Sequence, residues 1–163
     1  MLVWILLGAI RHVYPTTHLL RCEESKPHLE AFKKLQQAIV LPPDGKSQSH
    51  LRPSGAPPCV TGVYFSAHWC PPCREFTPIL AKCYEELQAL GKPFEVFFVS
   101  GDKSESEFNT YFAEMPWKAA PFSDCKLRSE LRENFAVESI PTLVLLDPEG
   151  CQNRSPRIHQ SPL

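Results

Sequence analysis

Two cysteines separated by two prolines stand between an apolar run and a helical pattern. Residues 60–67 form a short β-rich run, and residues 76–90 place apolar side chains along one stripe of a helix. Cys70 is therefore expected at a helix N-terminus, where free N–H groups and the helix dipole stabilise a negative charge. Because the thiolate is the reactive form of cysteine, this arrangement predicts a redox dithiol in which Cys70 attacks and Cys73 resolves.

Two other chemistries remain open for this pair of cysteines. Zinc takes four ligands, usually completed by a second Cys/His pair, and the sequence has no second CxxC and no HxxxH spacing. A purely structural disulfide would close a very short loop and would remove little chain entropy. The order of strand, CxxC and helix favours the redox dithiol over both.

Length, charge and cysteine usage limit the classes of function. The 163 residues suit one domain with a modest extra segment. The net charge of −1 does not indicate the excess of positive charge that is typical of nucleic-acid-binding proteins. The seven cysteines lack the spacing of a small secreted disulfide framework, so we expect most of them to be reduced, in the cytoplasm or nucleus.

The first ten residues form an apolar run that is too short to span a bilayer. A signal peptide carries basic residues before such a run and small residues at a cleavage site. Here the run begins directly after Met1 and is followed by Arg11 and His12. We expect a buried strand or helix, or a disordered end, rather than a secretory signal or a membrane anchor.

The pattern divides the chain into three parts. Residues 1–58 read as an irregular N-terminal segment, with a short amphipathic helix over 28–40 and a Pro/Ser/Gly-rich linker before Cys59. Residues 59–150 alternate strand and helix patterns, with strands at 60–67, 94–100 and 140–146 and a βαβ unit at the start. Residues 151–163 read as an irregular tail. Within the middle part, Ser104 and Glu107 form a capping box, and Cys83 lies on the apolar stripe as an expected core thiol.

Several ordered motifs across residues 63–150 resemble the thioredoxin superfamily, and its nucleoredoxin and tryparedoxin branch in particular. These motifs are YFSAHWCPPCR at 64–74 with FTP at 76–78, FEVFFVSGD at 94–102, YFAEMPW at 111–117, and IPTL at 140–143 followed by DP at 147–148. The resemblance implies an α/β fold with a central mixed sheet flanked by helices. It places the dithiol at the N-terminus of the first core helix.

The resemblance also implies roles for individual residues. Cys70 is the nucleophile, Cys73 is the resolving thiol, and Pro141 is a cis-proline that faces them. The residues expected to contact a substrate are Trp69, Pro71, Pro72, Ile140, Pro141 and Trp117, the last at the rim of the site. Arg74, directly after the second cysteine, is a candidate for stabilising the thiolate. Thioredoxin itself has a buried acid on the strand before the site, and the matching position here is Tyr64.

The implied function is thiol–disulfide exchange as a protein-disulfide reductase, with no metal or organic cofactor. The implied partners are protein or peptide disulfides, an upstream thiol or reductase, and signalling proteins such as Dishevelled in Wnt signalling. The branch is described as cytosolic and nuclear. Two alternatives stay open: a redox-dependent binding module without turnover, and a truncated, inactive form.

The tail departs from the family pattern. After Gly150 the family continues with an antiparallel edge strand and a C-terminal helix, and residues 151–163 hold too few apolar side chains to supply either. We therefore expect both elements to be missing and residues 142–146 to form an exposed sheet edge. A domain that lacks these two elements is expected to be less stable than a domain of the family that has both.

Overall fold

A mixed sheet with helices on both faces emerges from a computed structural model, which describes residues 26–41, 59–148 and 158–159. The helices are α1 (Lys26–Gln37), α2 (Pro71–Ala89), α3 (Glu105–Phe112) and α4 (Cys125–Asn134). The strands are β1 (Val60–Ser66), β2 (Phe94–Ser100), β3 (Lys118–Ala119), β4 (Thr142–Leu146) and β5 (Ile158–His159). Their order in the sheet is β3-β2-β1-β4-β5.

Strand β1 lies at the centre of the sheet. It pairs in parallel with β2, from Val60 opposite Phe94 to Ser66 opposite Ser100. On its other side it pairs antiparallel with β4. Every residue of β1 is buried, as expected for a strand that has another strand on each side and helices on both faces of the sheet. The mixed sheet that the resemblance implies is therefore confirmed.

The main helices and strands follow their sequence patterns. Strand β2 has the bounds that the pattern predicts, and α3 begins with the expected capping box. There the Glu107 N–H donates to the Ser104 hydroxyl, and the Glu107 carboxylate accepts from the Ser104 N–H. Strand β3 was not predicted, because two residues are too few to show a period.

The alternation of side chains along the strands divides the core into two clusters. Tyr64, Phe98 and Leu143 face one side of the sheet, where they pack against α2 and α3. Val63, Phe65 and their neighbours face the other side, where they pack against α1 and α4. Period-two alternation thus builds a core on each face, and this double burial holds β1 rigidly at the centre.

Helix α1 belongs to the second of these clusters. Its buried residues are Ala31, Phe32 and Leu35, and the Phe32 ring meets the Phe97 ring edge-on with centroids 6.1 Å apart. Beyond the helix, Val40 and Ala119 exchange two backbone hydrogen bonds of 2.8 and 3.0 Å. The helix expected over 28–40 is confirmed, with its last turn shorter than the pattern suggested. Its burial shows that it covers part of one sheet face.

The C-terminal tail supplies more of the sheet than its composition predicts. Strand β5 pairs antiparallel with β4, with His159 opposite Thr142 and Ile158 opposite Leu143. This corrects the expectation that the edge strand is missing, because strand pairing uses backbone groups and does not require apolar side chains. The expected exposed edge is corrected as well, since every residue of β4 is buried. The lower stability stays a prediction.

Several other predictions fall outside the described residues. They concern the apolar run at 1–10, the linker before Cys59 and the C-terminal helix. Among the helices that the structure does describe, none has the length and apolar character needed to cross a bilayer.

Replacing Leu35 with Ala tests whether α1 is an integral part of the fold. Leu35 is 0% exposed, so its loss should leave a cavity and lower the free energy of unfolding by about 2–5 kcal/mol. Leu41 is a matched control from the same segment, because it is 60% exposed and Leu41→Ala should change stability by less than about 0.5 kcal/mol. Urea unfolding followed by circular dichroism measures both; equal values for the two variants would contradict the packing of α1.

Cys83 should resist alkylation in the folded chain. Burial raises the pKa of the Cys83 thiol to about 11, so the thiol is protonated and unreactive at pH 8. Cys125, a free and exposed thiol, should be modified by iodoacetamide at that pH. Mass spectrometry of peptides measures both sites, and labelling of Cys83 should rise in urea or as the pH approaches 11. Comparable labelling of the two thiols in the folded chain at pH 8 would be inconsistent with a core thiol.

Candidate active site

The two cysteines of the motif occupy the first turn of α2. Cys70 is the N-cap residue, with extended backbone, and prolines fill the next two positions. Proline has no N–H, so Pro71 and Pro72 remove two of the amide donors that usually point out of a helix N-terminus. The Arg74 N–H bonds back to the Cys70 carbonyl at 3.2 Å. The Cys73 N–H is then the first-turn amide that a charged Cys70 sulfur can use.

Cys70 and Cys73 are joined as a disulfide, with Cα atoms 5.2 Å apart. Cys70 is 4% exposed and Cys73 is 0% exposed. Both cysteines are therefore buried, Cys70 slightly less so than Cys73, which lies within the first helical turn. The predicted positions of the two sulfurs, at the helix start and one turn inside, are confirmed.

The loop before β4 closes the other side of the disulfide. The Ile140–Pro141 peptide bond is cis, as the resemblance implies. The Ile140 carbonyl oxygen lies 3.9 Å from the Cys70 sulfur, and the partly buried Ile140 side chain packs against Ala67 and the two cysteines. The structure therefore brings together the CPPC turn and the Ile140–Pro141 loop, which are 70 residues apart in the sequence.

Trp69 lies on the surface beside Cys70 and is 50% exposed. Its indole Nε1–H donates to the Gly101 carbonyl at 3.1 Å, and the Gly101 N–H donates to the Ser66 carbonyl at 2.8 Å. The indole is therefore fixed in orientation while one half of it faces solvent. This placement fits the predicted contact with a partner.

Asp102 anchors the loop before the dithiol, and sequence reasoning gave it no role. The residue is buried, and its Oδ1 accepts from the His68 backbone N–H at 2.7 Å. Its Oδ2 accepts from the Ser100 hydroxyl at 2.7 Å, so both carboxylate oxygens have donors. The available signal was an acidic residue two positions after the end of β2, at the sheet end where the dithiol also lies.

A buried tyrosine hydroxyl lies behind Cys73. Tyr64 is fully buried, and its hydroxyl contacts Thr77 Oγ1 at 2.9 Å and the Cys73 carbonyl at 3.4 Å. Burial raises the pKa of Tyr64 far above its ordinary value, so the hydroxyl keeps its proton. A neutral hydroxyl therefore occupies the position that the resemblance matches to a buried acid.

Trp117 does not lie at the rim of the site. It is 0% exposed, and its ring meets the Tyr64 and Tyr84 rings edge-on, with centroids 6.1 and 5.8 Å apart. The residue directly precedes β3, which directs its side chain into the core beneath α2. A fully buried indole offers no surface to a substrate, so the predicted substrate contact is wrong. Trp117 instead supports the ring of Tyr64.

The other predicted site residues lie around this surface. Pro71 and Arg74 are exposed, Pro72 is partly exposed, and Pro141 is buried. Their roles in substrate contact and in thiolate stabilisation stay predictions. Within the ranges 26–41, 59–148 and 158–159, no group of three or more His, Cys, Asp or Glu residues is arranged to hold a metal ion.

The sequence of the chain is similar to a family model and to several known proteins. A family model described as Thioredoxin-like matches residues 59–151. The chain is 44% identical over 119 residues to the nucleoredoxin of Bos taurus, an alignment that covers 73% of this chain and 27% of the nucleoredoxin. It is 51% identical over 87 residues to the tryparedoxin of Trypanosoma brucei brucei, which covers 53% of this chain and 60% of that protein.

A solved structure shares both the fold and the sequence pattern. Native tryparedoxin I from Crithidia fasciculata superposes with a TM-score of 0.63 at 35% identity, over 79% of this chain and 85% of that one. By contrast, the chain spans only 27% of the length of the Bos taurus nucleoredoxin. The family match over 59–151 and the shared fold together show that the chain belongs to the thioredoxin-like family.

Proposed function

We propose that the chain is a thiol–disulfide oxidoreductase that reduces protein or peptide disulfides. The observation that carries the proposal is the Cys70–Cys73 disulfide at the N-terminus of α2, with the Ile140 carbonyl 3.9 Å from the Cys70 sulfur. A purely structural disulfide does not require a position at a helix N-terminus. The relatives named nucleoredoxin and tryparedoxin support the same chemistry.

The geometry supports Cys70 as the attacking sulfur. In the reduced form its side chain occupies the N-cap position, where it can accept a hydrogen bond from the N–H at N3, which is that of Cys73. This contact and the helix dipole stabilise the thiolate. The thiolate attacks one sulfur of the substrate disulfide, which forms a mixed disulfide and releases the first substrate thiolate.

Cys73 completes the exchange. Its thiol loses a proton and attacks the Cys70 sulfur, which forms the Cys70–Cys73 disulfide and releases the second substrate thiolate. Two electrons pass from the dithiol to the substrate. Because the electrons move between sulfur atoms, we propose that no metal or organic cofactor takes part and that an external thiol or reductase restores the dithiol.

The surface around Cys70 supports an extended substrate. The half-exposed Trp69 ring and the Ile140 loop flank Cys70, the less deeply buried of the two cysteines. A disulfide carried on a peptide can approach Cys70 between these two features, with its chain against the indole. This arrangement favours a protein or peptide disulfide over a small molecule enclosed in a cavity.

The compartment and the signalling partners rest on sequence likeness. We propose that the chain acts in the reducing cytoplasm or nucleus, where Cys83 and Cys125 stay as thiols. Signalling proteins of the Dishevelled type are proposed partners on the resemblance alone.

Replacing Cys70 with Ser should abolish the reduction of insulin disulfides, because serine cannot form the mixed disulfide. Precipitation of the insulin B chain in the presence of dithiothreitol measures the rate. Cys125→Ser is the matched control and should keep the activity of the parent chain, since Cys125 lies at the start of α4. Retained activity in Cys70→Ser would refute the assignment.

Replacing Cys73 with Ser should trap the substrate on Cys70, because the resolving sulfur is gone. Non-reducing electrophoresis with a peptide disulfide should show a stable adduct that dithiothreitol removes. Mass spectrometry should locate the adduct on Cys70. A Cys73→Ser chain that still turns over substrate would rule out resolution by Cys73.

A further inference from the structure

Four buried hydroxyl groups form a connected network behind Cys73. Tyr64 and Ser66 belong to β1, Thr77 to α2 and Tyr111 to α3, and all four residues are at most 1% exposed. Thr77 Oγ1 bonds to the hydroxyls of both Tyr64 and Tyr111, and Tyr111 bonds in turn to Ser66 at 2.9 Å. The network joins three elements at the first turns of α2.

The hydrogen bonds of the network all run in one donor-to-acceptor direction. A hydroxyl has one proton to donate and two lone pairs to accept with. Thr77 Oγ1 donates to the Cys73 carbonyl at 3.0 Å, so it must accept from both Tyr64 and Tyr111. Tyr111 has then used its proton and accepts from Ser66. Every hydroxyl donates toward the Cys73 carbonyl, and such aligned bonds strengthen one another.

Proline removes one main-chain hydrogen bond from this part of α2. Pro78 lacks the N–H that would bond the carbonyl of Arg74, the residue after Cys73. The Cys73 carbonyl receives the hydroxyl proton of Thr77 at 3.0 Å, and the Tyr64 hydroxyl that donates to Thr77 lies 3.4 Å from the same carbonyl. The side-chain network therefore adds a hydrogen bond to the backbone of Cys73, next to the carbonyl that Pro78 leaves without its helical donor.

We infer that this network positions Cys73 for the resolving step of the proposed exchange, with Thr77 as its central positioning residue. The inference rests on the proposed function. Cys70 is held separately, since its N–H donates to the Ala67 carbonyl at 3.2 Å. Loss of the network should therefore slow the attack of Cys73 on the mixed disulfide and leave the first attack by Cys70 unchanged.

Stopped-flow reaction of the reduced full chain with one equivalent of 5,5′-dithiobis(2-nitrobenzoate) separates the two steps. Cys70 attack releases one coloured thiolate, and Cys73 attack on the aryl mixed disulfide releases the second. The trace of the Cys70→Ser/Cys73→Ser double variant, which keeps the other five cysteines, is subtracted as background.

Thr77→Val should slow the second release about tenfold and change the first by less than about twofold, the scale of one lost hydrogen bond. Thr77→Ser keeps the hydroxyl and should restore the second rate. Tyr111→Phe removes one donor to Thr77 and should slow the same phase. Tyr84→Phe is the matched control, since its hydroxyl donates to Glu95 at 3.2 Å, and its two phases should equal those of the parent chain.

The outcomes separate this inference from the proposed function. A parent chain that gives two releases, with the second unchanged in folded Thr77→Val or Tyr111→Phe, overturns the role of the network alone. Equal slowing in Tyr84→Phe overturns it too, because the effect would then be one of general stability. A parent chain with no second release overturns the proposed function and this inference together.

Discussion

The parallel pairing of β1 with β2 is the interaction on which the site depends. The register places Ser66 opposite Ser100, so both strands end at the same edge of the sheet. From that edge one chain segment leads to His68, Trp69 and Cys70, and the other leads to Gly101 and Asp102. The hydrogen bonds between the two segments then orient the indole and hold the loop that carries the dithiol.

Burial on both faces makes this edge rigid. The core cluster beneath α2 and α3 fixes Tyr64, and the opposite cluster fixes Val63 and Phe65. Because protein interiors are close-packed, β1, which packs against side chains on both of its faces, cannot shift without disturbing both core clusters. Helix α1 contributes Phe32 and Leu35 to the second core. Part of the N-terminal segment therefore packs on one face of the sheet that positions Cys70.

Polar groups at the site are satisfied by specific partners. The Asp102 carboxylate accepts from two donors, and the hydroxyls of Tyr64, Thr77, Tyr111 and Ser66 bond to one another. Buried polar groups are costly when unpaired and rigid when fully paired. Two sets of paired polar groups therefore hold the dithiol within an otherwise apolar core: the Asp102 carboxylate, which binds the loop before Cys70, and the four hydroxyls behind Cys73.

The sequence alone determined the dithiol, its place at a helix start, the strands on either side of α2 and the capping box of α3, because each depends on neighbours within a few residues. The cis bond at Pro141 required the family resemblance. Only the tertiary structure decided that Trp117 is buried, that β5 pairs with β4, that Asp102 anchors the loop and that Thr77 and Tyr111 meet behind Cys73. The physical reason is distance along the chain: Thr77 and Tyr111 are 34 residues apart, and their contact exists only after α2 and α3 pack on the same face of the sheet.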